Sequence, residues 1–117
     1  PIGSIYYQYF KDKTMIEPQT YFVEGIGEDM LCPTMDFSIL DKVIQVTDKQ
    51  SFLMTRDLTR KEGIFAGGSS GAALHGALEH AKTMKEGEIM IVILPDGGTK
   101  YISKIFNDQW MKEKGFL

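Results

Sequence analysis

The feature that most constrains this chain is Glu88–Leu94 (E-I-M-I-V-I-L), an unbroken apolar run after the first residue, halted by Pro95-Asp96-Gly97-Gly98. Six apolar residues in a row leave no polar face for water. That is the habit of a strand buried on both sides, as in parallel sheets covered by helices. Proline and paired glycines then end it, because neither continues a ladder. Two shorter segments read the same way: Lys42–Val46 (K-V-I-Q-V), rich in β-branched residues, and Ile64-Phe65-Ala66.

Helical patterns separate these runs. Thr47-Asp48-Lys49-Gln50 forms a capping box, with the threonine at the N-cap and glutamine three residues on. The helix it starts is expected over 48–61, burying Phe52, Leu53 and Leu58, with Gly63 to end it. Gly67–Gly71 (G-G-S-S-G) opens a second helix, through about Lys85, with Ala73, Leu74, Ala77, Leu78 and Ala81 on one stripe. Ile102, Phe106 and Trp110, four apart, predict a closing helical segment. Residues 1–15 show a turn at Gly3-Ser4 and no clear period, and Tyr21–Pro33 is a glycine-punctuated loop.

Strand–helix alternation predicts an α/β fold, a parallel sheet with helices on both faces. Ligands in such sheets bind beyond the carboxyl ends of strands. Three glycine-bearing loops fall there: residues 25–27, 67–71 and 95–98.

Composition narrows the function classes. Among 117 residues, 43% are hydrophobic and 25% charged, with a net charge of −3. The basic residues are scattered without an aromatic-basic stripe, which speaks against nucleic acid. No apolar run reaches the ~20 residues that span a bilayer, and no leader opens the chain, so no membrane partner is expected. Cys32 stands alone, which excludes an internal disulfide and suits a reducing, cytoplasmic compartment. A first residue of Pro1 is expected of a processed, cut or partial chain. No metal site is expected: His75 and His80, five apart on a helix, lie about 140° apart around its axis and have no ligating neighbours.

The glycine–serine turn supports several readings. It is a tight strand-to-helix turn with a serine cap, or an anion site at a helix N-terminus. The Walker and dinucleotide patterns are both absent. G-x-S-x-G is also the nucleophile elbow of α/β-hydrolases, but the only histidines sit on the helix that Ser69 begins, and none follows Asp96. A Ser69 nucleophile would have no base.

Glu62–Ala73 (E-G-I-F-A-G-G-S-S-G-A-A), Ile91–Gly98 (I-V-I-L-P-D-G-G) and Val23–Asp29 (V-E-G-I-G-E-D) resemble, in order, the later half of fold-type II (tryptophan synthase β-like) pyridoxal-phosphate enzymes. The glycine–serine turn and Val23–Gly27 resemble cysteine synthases as well, whereas the tail Ser103–Leu117 resembles specifically the end of the catalytic domain of cystathionine β-synthases. The resemblance covers essentially the whole chain. It implies that residues 1–117 are the C-terminal portion of a pyridoxal 5'-phosphate domain, with the Schiff-base lysine and phosphate cup in a missing N-terminal portion. No catalytic residue is then expected here, and the chain alone is expected to be inactive.

Carried over, Ser69 matches the serine that bonds the cofactor's pyridine nitrogen. Gly68, Pro95 and Asp96 match the cofactor surround, and Gly25, Ile26 and Gly27 match the substrate loop. Glu28 stands where some members have tyrosine. The implied parent is a homodimeric lyase acting on small-molecule amino acids, condensing serine with homocysteine in transsulfuration. The alternatives are a cysteine synthase using O-acetylserine, and a stand-alone binding or scaffold module without catalysis.

Overall fold

The computed structural model describes residues 1–117. Four α-helices form: α1 (Tyr6–Asp12), α2 (Asp48–Glu62), α3 (Gly68–Ala81) and α4 (Asp108–Glu113), with 3-10 turns at Phe37–Ile39 and Gly98–Tyr101. None is long and apolar enough to cross a membrane.

The start of α2 follows from its residues. Thr47 Oγ1 accepts from the Gln50 amide, and Gln50 Oε1 accepts from the Thr47 amide, so each satisfies an otherwise unpaired donor. Gly63, at φ 71°, closes the helix in the left-handed region that side chains disfavour. Phe52 and Leu58 are buried, and Leu53 packs on the core edge.

The expected parallel sheet does not form. No β-strand is present, and one isolated antiparallel bridge joins Ala66 to Gly97. Residues 89–94 make no backbone hydrogen bond to any other backbone group. Their apolar side chains do not reach the expected two-sided burial either. Ile89, Ile91 and Ile93 are 90%, 84% and 72% exposed, while Met90, Val92 and Leu94 are half-buried. The alternation is that of an extended chain lying with one side on the molecule. An apolar run fixes how a segment would sit in a sheet; the sheet itself needs neighbouring strands in register, and 42–46, 64–66 and 88–94 do not supply one another.

Three further expectations are corrected. Residues 6–12 of the unassigned opening are helical. The second helix stops at Ala81, and its buried face is Gly68, Ser69, Ser70, Gly71, Ala72 and Gly76, while Leu78 is 47% exposed. Small residues allow the close approach to α2, since a side chain at Gly71 would run into Ser51 and Thr55, while Leu74 and Leu78 line an open groove with Met54 and Leu58 of α2. The closing helix is broken. Asn107 Oδ1 accepts from the Gln109 and Trp110 amides, starting α4 afresh, and Ile102 points to solvent while Ile105 and Met111 are buried.

The core gathers Val23, Phe52, Tyr101, Ile105, Met111 and Phe116, with Trp110 at its edge. Phe52 meets Trp110 and Phe116 edge-on at 5.9 and 5.1 Å between centroids. The tail thereby grips the outer face of α2. Arg56 strengthens the grip, donating to the Ile105 carbonyl at 3.0 Å and pairing with Asp108. The neighbouring face of α2, at Ser51 and Thr55, carries α3, whose N-terminus holds the glycine–serine turn.

Candidate active-site wall at the head of the third helix

The turn Gly67–Gly71 is held by loop 95–98. The Gly67 amide donates to the Asp96 carbonyl at 3.0 Å, and the Gly98 amide donates to the Phe65 carbonyl at 3.1 Å. Gly67 is the N-cap of α3 and no side chain caps the helix, so neither serine plays the capping role that the sequence allowed. Ser70 is fully buried, its hydroxyl 3.5 Å from the Asp96 carbonyl. Ser69 is 4% exposed, and its hydroxyl donates to Asp96 Oδ1 at 3.5 Å, the outer limit of a hydrogen bond.

Beside Ser69 lies a cleft of about 200 Å³, walled by Ile26, Ile44, Val46, Ala72, Ala73 and Pro95 among others. Three expected site residues, Ser69, Ile26 and Pro95, thus come together around one slot. The others take different places. Gly68 sits behind the slot, where a Cβ would lie 3.0 Å from Ile105 Cδ1 and 3.1 Å from Phe52 Cε1, so it permits packing and makes no wall. Gly27 lines an adjoining cleft of about 150 Å³ with Ile26 and Ser4. Gly25 is exposed with open space where a side chain would go; its φ of 77° explains the glycine, and crowding within this chain does not.

The substrate-loop candidates are anchored by Ser4. Its buried hydroxyl accepts from the Glu28 amide at 3.0 Å and donates to the Glu28 carbonyl at 3.2 Å. Glu28 itself lines a larger groove of about 400 Å³ with Pro18, Gln19, Thr20, Tyr21 and Asp29. That groove is mostly polar and lacks the apolar walls that would take an aromatic ring, so the Ser69 slot is the better cofactor candidate.

Asp96 stands behind Ser69 and does not itself line the slot. Its Oδ2 accepts from the Tyr101 hydroxyl at 2.8 Å. Burial, and then this bond, push the Tyr101 phenol up to about 12. Tyr101 was not among the residues singled out from the sequence. The available signal was a polar-tipped aromatic five residues past Asp96, where one 3-10 turn brings it back; buried tyrosines usually find a partner for the hydroxyl.

Residues 3–96 match the sequence pattern of the pyridoxal-phosphate dependent enzymes. The chain belongs to this family. Curated relatives include cystathionine beta-synthases: that of Apis mellifera is 45% identical over 83% of this chain and 19% of its own length. The O-acetylserine dependent cystathionine beta-synthase of Bacillus subtilis (strain 168) is 41% identical over 75% of this chain and 29% of its own. Among solved structures, the O-acetylserine dependent cystathionine beta-synthase of Helicobacter pylori superposes with a TM-score of 0.74 at 34% identity, over 89% of this chain and 32% of that one. This chain therefore spans about a fifth to a third of the length of these proteins.

The family's cofactor is pyridoxal 5'-phosphate, and the residues present fit part of it. A buried hydroxyl with only a long contact to Asp96 opens beside apolar walls, as a heteroaromatic ring with one polar atom requires. The slot is smaller than the roughly 300–1,000 Å³ of pockets that enclose a drug-sized ligand. Its size fits one wall of a cofactor site rather than an enclosing pocket.

Proposed function

We propose that this chain forms the C-terminal part of the catalytic domain of a cystathionine β-synthase-like lyase that condenses serine with homocysteine. The observation that carries the reading is the Ser69 hydroxyl, buried at the head of α3 beside Pro95 and Ile26. Ser69 would hold the pyridine nitrogen, with Pro95, Ala72 and Ala73 against the ring and Ile26 toward the substrate. Bound there, the cofactor supplies an electron sink for the substrate amino acid. A serine hydroxyl, unlike a carboxylate, does not hold that nitrogen protonated, and the positive end of the α3 dipole further disfavours a cation. The sink is then moderate, which suits loss of a group from Cβ and its replacement by sulfur.

A second reading, replacement on O-acetylserine, is favoured by the names of the Bacillus subtilis and Helicobacter pylori relatives, both O-acetylserine dependent. The remainder of the domain would bring the Schiff-base lysine, since no lysine lines the Ser69 slot. A cytoplasmic homodimer acting in cysteine biosynthesis completes the proposal. The test offers the holoenzyme serine or O-acetylserine, each with homocysteine or sulfide, and identifies products by mass spectrometry. Cystathionine from serine supports the first reading; product from O-acetylserine alone supports the second. No product and no cofactor uptake would point instead to a binding or scaffold module.

A further inference from the structure

We infer that Tyr101 is a positioning residue for Ser69: by holding one oxygen of Asp96 it fixes the other beside the Ser69 hydroxyl, and so sets where that hydroxyl's single proton points. The inference rests on the reading that Ser69 meets the cofactor ring.

The arrangement is pinned at both ends. The Asp96 carbonyl accepts from the Gly67 amide at 3.0 Å, while its Oδ2 accepts from Tyr101 at 2.8 Å. The tyrosine ring closes over Gly67 so tightly that a Cβ there would lie 2.7 Å from Tyr101 Cε2 and 2.1 Å from Asp96 Oδ1. Only glycine leaves room for this clamp. Tyr101 is 7% exposed, so water does not compete freely for the carboxylate on that side. Because its phenol is pushed up to about 12, it stays a donor at any ordinary working pH.

The length of the second contact gives the clamp its use. Oδ1 stands 3.5 Å from Ser69 Oγ, against the ~2.7 Å usual for a hydroxyl on a carboxylate. Held there, Asp96 orients the hydroxyl but binds it weakly, and a ring nitrogen in the slot can take the proton. Without Tyr101 the carboxylate is free to close on Ser69 and turn the proton away from the slot. Two acceptors, one proton and a tyrosine that keeps one acceptor at arm's length make the device.

The test is a double-mutant cycle in the full-length enzyme. Apoenzyme is titrated with pyridoxal phosphate and the bound cofactor's absorption band is recorded. Tyr101→Phe keeps the ring and removes the donor. It is expected to weaken cofactor binding about fivefold, on the scale of one misdirected buried hydrogen bond, and to shift the band in the same direction as Ser69→Ala. In the Ser69→Ala background, Tyr101→Phe should change affinity less than about twofold and leave the band unmoved, because the proton it directs is gone. A purely structural role would act equally in both backgrounds. Independent, multiplying losses would overturn the positioning role while leaving the Ser69 contact intact, as would a wild-type Tyr101→Phe beside a weakened Ser69→Ala. A Ser69→Ala enzyme with unchanged affinity and spectrum would overturn the contact itself, and the inference with it. Should Tyr101→Phe not fold, Asp96→Ala takes its place in the cycle: with the competing acceptor gone, cofactor affinity should be unchanged or higher where Ser69 keeps its hydroxyl and should not respond in the Ser69→Ala background, and equal losses in both backgrounds would decide against the inference.

Discussion

Replacing Gly71 by alanine tests the approach of α2 and α3 that places the Ser69 turn. A Cβ at position 71 would lie 2.1 Å from Thr55 Oγ1, 2.2 Å from the Ser51 carbonyl oxygen and 2.7 Å from the Thr55 amide nitrogen. Two of those three atoms are backbone of α2, so no rotamer change relieves the clash and the helices must part. Overpacking of this kind destabilises by about 1–3 kcal/mol. The Thr55 hydroxyl, which bonds the Ser51 carbonyl at 2.9 Å and the Gly67 carbonyl at 3.2 Å, would lose alignment, costing about 1 kcal/mol more. Alanine's better helix propensity returns about 1 kcal/mol, so the expected net loss is about 2 kcal/mol. Gly76→Ala is the internal control. Its Cβ would meet nothing closer than Ile44 Cβ at 3.9 Å, so propensity alone acts and the variant should be neutral or up to about 1 kcal/mol more stable. Urea unfolding of the full-length apoenzyme, read as a midpoint shift at unchanged slope, measures both. Equal stability of the two variants would refute the helix approach and the placement of the turn with it.

Three other outcomes are expected. The Tyr101 phenol should ionise near pH 12 by absorbance at 295 nm, and Asp96→Asn should lower that midpoint only part-way, since burial is the larger cause. Because the folded-state value is raised, the stability this group contributes is complete below its unfolded value near 10 and is lost as pH climbs from about 10 to 12; a midpoint at 10 in the native protein would contradict the buried bond. This 117-residue chain by itself should self-associate through the open faces of Ile89, Ile91 and Ile93, with lysine at all three positions reducing association; monomeric sedimentation of the unsubstituted chain at every concentration would count against it. Borohydride reduction of the same chain with pyridoxal phosphate should give scattered, substoichiometric lysine labelling, because no lysine lines the Ser69 slot; one stoichiometric adduct would sink that expectation.

Local chemistry was legible in the residues themselves. The Thr47–Gln50 box, the α2 span and the Gly63 stop are decided within a few residues by hydrogen bonds and a backbone angle, so the order of the amino acids suffices. The motifs around residues 23–29, 62–73 and 91–98 carried the family, and Ser69, Pro95 and Ile26 do share one slot. What failed was everything that depends on a neighbour. Glu88–Leu94 has the composition of a sheet interior and yet pairs with nothing, because a ladder is a property of two strands. The stripe Ala73, Leu74, Ala77, Leu78 and Ala81 reads as the buried face of α3, but the buried residues are Gly68, Ser69, Ser70, Gly71, Ala72 and Gly76, and α2 comes closest at Gly68 and Gly71, where bulk is smallest. The turn offered a serine cap, yet no side chain caps α3 and Ser70 is buried under Asp96. Tyr101 acquired its meaning only when a 3-10 turn carried it back to Asp96, across Gly67. The sequence by itself determined the capped helix, the glycine turns and the family's cofactor. Tertiary structure alone decided which faces are buried and which hydroxyl meets which carboxylate, because burial and long-range hydrogen bonds are set by distances that chain order does not contain.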